Sequence, residues 1–262
     1  MASPPRRHRR ALVAAVALSV GGVLGAVLLP TFAAPGGPVA GAPRDADAKF
    51  RTVGDGSLPE TAPRLREPHE PLSAGERGYA FHLAREAMPE QARDLLGEPG
   101  GEPVAADLPP LSQRTSDRRV VVALYDYTAD ELHQLLVDLT HDTVVQQQAT
   151  QELQLPPTDT ETATALELAI TAKPILSFVA QYGQVNGAPL LNPGQVSAMG
   201  GAWLPDAARP TAEETQVCGQ HRCLQLLIAL PTGEYLNTQD FVVDLSTRTV
   251  IRTGLEEQNN AR

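Results

Sequence analysis

The residues best suited to chemistry are Cys218 and Cys223, the only two cysteines, separated by Gly219-Gln220-His221-Arg222. In an exported chain an even cysteine count reads as a disulfide, and a glycine beside Cys218 allows the tight turn that the short Cα separation demands. A redox pair is the first alternative. A Cys218/His221/Cys223 metal set is the second, although three ligands this close in sequence seldom complete a closed zinc site. His133 and His141, with Asp138 and Asp142 beside them, offer at most a weak cation site. Lone histidines are more often surface or satisfied core groups. Ser57, Ser177 and Ser197 have no identifiable base, and the chain contains no Gly-x-Ser-x-Gly, His-Glu-x-x-His or phosphate loop. The single tryptophan lies in Met199-Gly200-Gly201-Ala202-Trp203-Leu204. That stretch reads as a loop packed over a sheet, or as a contact in which Trp203 and Leu204 anchor a partner. Thus no catalytic, cofactor-binding or metal-ligating residue is assigned, and no cofactor is expected.

The 262 residues, 42% of them hydrophobic, suffice for one or two cores built from aliphatic side chains, because aromatics make up only 4%. The net charge is −10, and the only basic run, Arg6, Arg7, Arg9 and Arg10, precedes an apolar segment. Such an acidic surface repels a phosphate backbone, which argues against a nucleic-acid partner.

Residues 11–29 carry no charge and follow those four arginines, and Thr31-Phe32-Ala33 offers a cleavage site. Segment 1–34 is therefore expected to be a secretory signal or, since the run is long enough to approach a bilayer span, an uncleaved membrane anchor. Arg9-Arg10 is compatible with twin-arginine export, but the flanking signature is incomplete and an ordinary positive n-region is the favoured reading. Residues 35–70, rich in Pro, Gly, Ala and charge without periodicity, read as a disordered tether, and 254–262 as a frayed tail.

The elements that must position any site come from an internal repeat. Val137-Asp138-Leu139-Thr140 matches Val243-Asp244-Leu245-Ser246 at an offset of 106, and the same offset sets Val120–Leu124 on Leu226–Leu230. Ser73-Ala74-Gly75-Glu76 and Thr158-Asp159-Thr160-Glu161 both fit the capping box, and Leu83, Ala84 and Ala87 fall on Leu168, Ala169 and Ala172. Asp138 and Asp244 recur before a Thr or Ser and are expected to cap hairpins by accepting backbone N–H bonds. Pro231-Thr232-Gly233-Glu234 reads as a turn, and Pro174 as the end of a helical stretch. The expected fold is α+β: two tandem α-β-β-β units, 72–151 and 157–253, each a helix packed on an antiparallel sheet.

A capped helix followed by RRVVVALYDYTADELHQLLVDLTHDTVV, occurring twice, resembles the small N-terminal domains of copper amine oxidases, which have a cystatin-like fold. The resemblance covers residues 72–253 and implies a fold without the activity. In that family the chemistry belongs to a separate C-terminal domain, with three copper-ligating histidines and a Tyr-derived quinone in an Asn-Tyr-Asp/Glu pattern. This chain has six histidines and no His-x-His, and Leu124 stands in place of the Asn before Tyr125-Asp126. The resemblance implies an exported, non-catalytic accessory or interaction protein. It would be secreted, or anchored with its folded part extracytoplasmic, and would engage an unknown protein partner at the cell envelope. The membrane itself would be reached through the N-terminal helix. The alternative is a copper amine oxidase-related enzyme or a copper binder.

Overall fold

The computed structural model describes residues 58–206 and 211–254. The signal or anchor segment 1–34, residues 35–57 of the tether and residues 255–262 of the tail lie outside the described residues. Among the described residues no helix is long and apolar enough to cross a membrane.

Two helices begin where their caps require. In α1 (Ala74–Glu86) the Glu76 amide donates to Ser73 Oγ at 3.1 Å, and the Ser73 amide donates back to Glu76 Oε2 at 2.7 Å. In α2 (Asp159–Thr171) Thr158 and Glu161 make the same reciprocal pair. Each helix lays equivalent small residues on its sheet: Ala80 and Ala84 in α1, Ala165 and Ala169 in α2, all fully buried.

The sheets are antiparallel and four-stranded. The first runs β1 (Glu102–Asp107), β2 (Arg119–Asp126), β3 (Glu131–Asp138), β4 (Thr143–Gln151), paired in that order. The second runs β5 (Ser197–Ala202), β6 (Cys223–Ala229), β7 (Phe241–Asp244), β8 (Thr249–Arg252), likewise. The α+β class and the tandem repeat are as expected, but each unit is α-β-β-β-β. The two missed strands are the edges β1 and β5. Pro103, with Glu102 and Asp107 at the ends, and Gly200-Gly201 gave them loop composition, and edge positions tolerate such residues. The Met199–Leu204 stretch is thus a strand and its continuation. A third helix, α3 (Ser177–Asn186), occupies the insertion after α2 and stops at Gly187, whose φ of +66° is the left-handed conformation glycine adopts freely.

Register refines the repeat. Val120 pairs with Val137, and Leu224 pairs with Val243. Val137 and Val243 are therefore equivalent, as the 106-residue offset requires, but β2 maps onto β6 at 104, so Val120 corresponds to Leu224 and not Leu226. Within its hairpin unit two is three residues longer between the Ala229–Tyr235 bridge and β7 and one residue shorter in the turn, a net gain of two. A slip of two returns every side chain to the same face of a strand, so the apolar pattern could not expose it.

Residues 58–70, assigned to the tether, are part of unit one. Leu58 and Leu65 pack on the core formed by Phe81, Val120, Val122 and Leu135, and the Arg66 amide donates to Glu76 Oε1 at 2.9 Å.

Candidate functional site: the junction between the units

Each unit hides one arginine that sequence reading passed over. Arg118, directly before β2, is 2% exposed, and its fork closes on the capping-box carboxylate: Nε donates to Glu76 Oε1 at 2.8 Å and Nη2 to Oε2 at 3.1 Å. Its remaining N–H groups hold the chain that leads into α1, reaching the Glu67 and Glu70 carbonyls at 2.7 and 2.8 Å. Arg222, directly before β6, repeats this. It donates through Nε to Glu161 Oε1 and through Nη2 to Oε2, and Nη1 reaches Gln154 Oε1 and the Leu155 carbonyl. Both guanidinium–carboxylate pairs are buried and bidentate, the geometry in which arginine is strongest. Burial alone would raise the Glu76 pKa, but Arg118 and the Arg66 and Ser73 amides outweigh it and hold Glu76 at about 2. Glu161 is likewise lowered: burial opposes ionisation, and Arg222 overcomes it. The usable signal was an arginine immediately before an apolar strand in both units at the true 104-residue offset.

Around the second clamp the units meet. The Arg222 guanidinium lies over the Tyr125 ring, 5.2 Å from its centroid, and Tyr127 Oη donates to Glu161 Oε1 at 2.7 Å. Ser246 Oγ donates to Asp130 Oδ1, while it accepts from the Arg222 amide at 3.0 Å. His221 Nδ1 lies 2.8 Å from Asp244 Oδ2, and its Nε2 is 4.0 Å from Asp130. The bond to Asp244 raises the His221 pKa, and burial raises that of Asp130. Leu95 of unit one enters the core of unit two, and Arg248 Nη1 donates to its carbonyl at 3.1 Å. Glu102 is buried nearby with the Leu95 amide at 3.4 Å, and burial together with the neighbouring Glu161 charge pushes its pKa up to about 7. Tyr125 and Tyr127 are both raised by burial. This is a packed polar junction that orients two units, with every group tied to a named partner.

The sequence-derived residues fall as follows. Cys218 and Cys223 form the disulfide, with an S–S distance of 2.01 Å, so neither thiol is free to ligate a metal. Asp138 and Asp244 cap their turns as expected, accepting from the Thr140 and Ser246 amides at 3.0 and 2.9 Å. Gly233 takes φ +90° in the expected turn. His133 and His141 are not brought together: His133 is buried near the start of β3, and His141 is exposed past its end. Five strand steps, from His133 to Asp138, span roughly 16 Å before the turn that carries His141. Asp117, Asp138 and His141 do converge, but the Arg119 guanidinium already bridges the two carboxylates at 2.9 and 3.2 Å. Tyr125 corresponds to Ala229 rather than Pro231 once register is corrected, and it donates to Asp130 at 3.1 Å. Trp203 is half-buried on the face of sheet two opposite α2, against Cys218, Cys223, Val242 and Ile251, with its amide on the Cys223 carbonyl at 2.9 Å. Leu204, next in sequence, is 54% exposed, and further along β5 and β6 Met199 (59%) and Leu227 (44%) are exposed and pair directly.

No protein-family model and no curated protein sequence matches the chain. Among solved structures it is similar to a copper-containing benzylamine oxidase from Hansenula polymorpha, with 15% identity and a TM-score of 0.41 over 71% of this chain and 30% of that one. The chain therefore spans less than a third of that enzyme's length.

Proposed function

We propose that this chain is an exported, non-catalytic accessory protein whose second unit binds an apolar surface on another protein at the cell envelope. One observation carries the reading. Met199 and Leu227, paired across β5 and β6, stand exposed on the sheet face that also carries the half-buried Trp203, which packs on the disulfide, and Leu204 is exposed next to Trp203 in sequence. Adjoining exposed apolar side chains around an anchored aromatic have the composition of a binding hot spot. The disulfide is compatible with an extracytoplasmic location. The non-catalytic reading is supported by the junction, where Arg222, Glu161, Tyr125, Tyr127, Asp130, His221 and Ser246 are spent on mutual bonds that hold the units together.

The test is crosslinking in envelopes of the producing cell, followed by capture of the tagged chain. One envelope protein recovered by wild type and lost with Met199→Glu or Leu204→Glu, at unchanged far-UV circular dichroism, supports the proposal. Recovery unaffected by both substitutions removes the patch from the interface. Peroxide release from amines by the copper-loaded protein, abolished by Tyr125→Phe, would overturn the non-catalytic reading.

A further inference from the structure

Four strand edges border the two sheets, and three of them are blunted. β1 holds Pro103, a bulge between Pro103 and Ala105, and acidic residues at both ends. β5 contains adjacent glycines. β8 has four residues and carries Arg252. These are the devices by which proteins keep sheet edges from pairing with other chains. β4 has only a bulge at Val145, where Leu136 pairs with Gln146 and Val137 with Val144, and its pairing is regular from Gln146 to Gln151. It is nine residues long, Thr-Val-Val-Gln-Gln-Gln-Ala-Thr-Gln, without charge, proline or glycine. Its side chains are exposed apart from the half-buried Val144 and Thr150, and among the described residues no strand pairs with its outer edge.

We propose that β4 is a self-association edge, and that two copies of this chain pair β4 to β4, antiparallel, about a twofold axis at Gln148. The occupant follows from the strand's own residues. An uncharged edge on a chain of net charge −10 has nothing with which to select a basic or an acidic peptide, but it spares an identical copy like-charge contacts. Symmetry fixes the register. An axis perpendicular to the sheet must pass through a residue, so that facing side chains point the same way. An axis at Gln147 would bring the bulged Val145 into the centre of the pairing, opposite Ala149. An axis at Gln148 sets Gln148 on Gln148, Gln147 on Ala149 and Gln146 on Thr150, all within the regular stretch, and leaves the bulged Val145 opposite the terminal Gln151. The facing set then contains no charged pair, and the two sheets continue as eight strands with both copies of α1 on one face. Because the pairing is isologous and consumes the longest open edge of each copy, it closes at a dimer. This surface lies on sheet one and is independent of the Met199–Leu204 patch, so each proposal can fail without the other.

Sedimentation velocity of the full-length chain over increasing concentration tests it. The expected result is a monomer–dimer equilibrium that strengthens with salt as net-charge repulsion is screened. Gln148→Lys sets like charges across the axis and should weaken association at least about tenfold, and so should Gln148→Glu. Mixing the two variants should restore a heterodimer. Hydrogen exchange supplies a second readout: amides of Thr143–Gln151 gain protection with concentration, while those of β5 and β8 do not. The proposal is overturned if wild type stays monomeric throughout, if Gln148→Lys associates like wild type, if the mixture associates no better than its components, or if fibres form.

Discussion

Replacing Arg222 by Met removes a fully buried cation from the fully buried Glu161 and leaves a stranded carboxylate. Breaking a buried pair from one side costs about 3–5 kcal/mol, and most of that is the uncompensated charge. The Tyr125 contact adds about 1 kcal/mol. For a folded part of this size the midpoint of thermal unfolding falls roughly 2–4 °C per kcal/mol, so Arg222→Met should lower it by roughly 8–24 °C. Arg118→Met breaks the equivalent clamp on Glu76 without touching the junction, so it should cost about 1 kcal/mol less. Adding Glu161→Gln to Arg222→Met removes the stranded charge and should recover at least about 1 kcal/mol. Urea unfolding followed by far-UV circular dichroism reads both units. The single tryptophan, Trp203, sits in unit two and reads that unit separately. In Arg118→Met the circular dichroism transition should precede the tryptophan transition if the units uncouple, and in Arg222→Met the two should fall together. A cost below about 1 kcal/mol for Arg222→Met, or no recovery in the double variant, would refute the clamp argument.

Glu102 has a folded pKa of about 7 against 4.5 unfolded, so the folded state holds its proton longer. The proton it retains therefore makes stability fall as pH rises from 4.5 to 7, by about 3 kcal/mol. Glu76 acts oppositely: held at about 2, it stabilises above pH 4.5 and loses that contribution as pH falls towards 2. His221, raised by Asp244, stabilises below its unfolded value and loses this as pH climbs through its folded one. Stability should peak in mild acid, and thermal scans of Glu102→Gln should be flatter between pH 5 and 7 than those of wild type. Gly200→Ala should cost about 1–3 kcal/mol, because a Cβ there would lie 2.6 Å from Thr162 Oγ1 and 2.9 Å from Pro157 Cγ. Gly201→Ala, with nothing within 4 Å, should be near neutral in the same urea titration. Reducing the Cys218–Cys223 disulfide, which closes a short loop, should cost about 2 kcal/mol, seen as a lower urea midpoint by tryptophan emission.

What could be read from the residues was local. The two capping boxes, the β2–β3 hairpin, the Asp138 and Asp244 turns and the five-residue cysteine separation are all interactions between near neighbours in sequence, and each formed as its residue types require. The edge strands were hidden because an edge tolerates the Pro103 and Gly200-Gly201 that argue against a central strand. The placement of His133 and His141 went wrong for a related reason. A strand separates residues by about 3.3 Å each, so the steps of β3 from His133 to Asp138 carry His133 away from the turn that holds His141.

The clamps were hidden by the periodicity that revealed the repeat. Matching apolar strands tolerates a slip of two residues, and the 106-residue offset, correct for β7, set Arg118 on Leu224 and dissolved the one charged residue the units share at that position. At 104 residues the pair reappears, each member before its strand and each facing a capping-box Glu at the independent offset of 85. Three offsets within one repeat are what a duplicated unit shows once loops have lengthened. Residues bound by contacts to two elements, as Arg118 and Arg222 are, survive such lengthening, while the loops between them do not constrain it. The junction follows from this. Ser246 and Thr140 both accept from the amide of their clamp arginine, but only Ser246 also donates outward, to Asp130 of the other unit. Only Glu161 also accepts from a tyrosine across the boundary. A device that closes each unit on itself thereby acquires, in the second unit, the bonds that fasten it to the first.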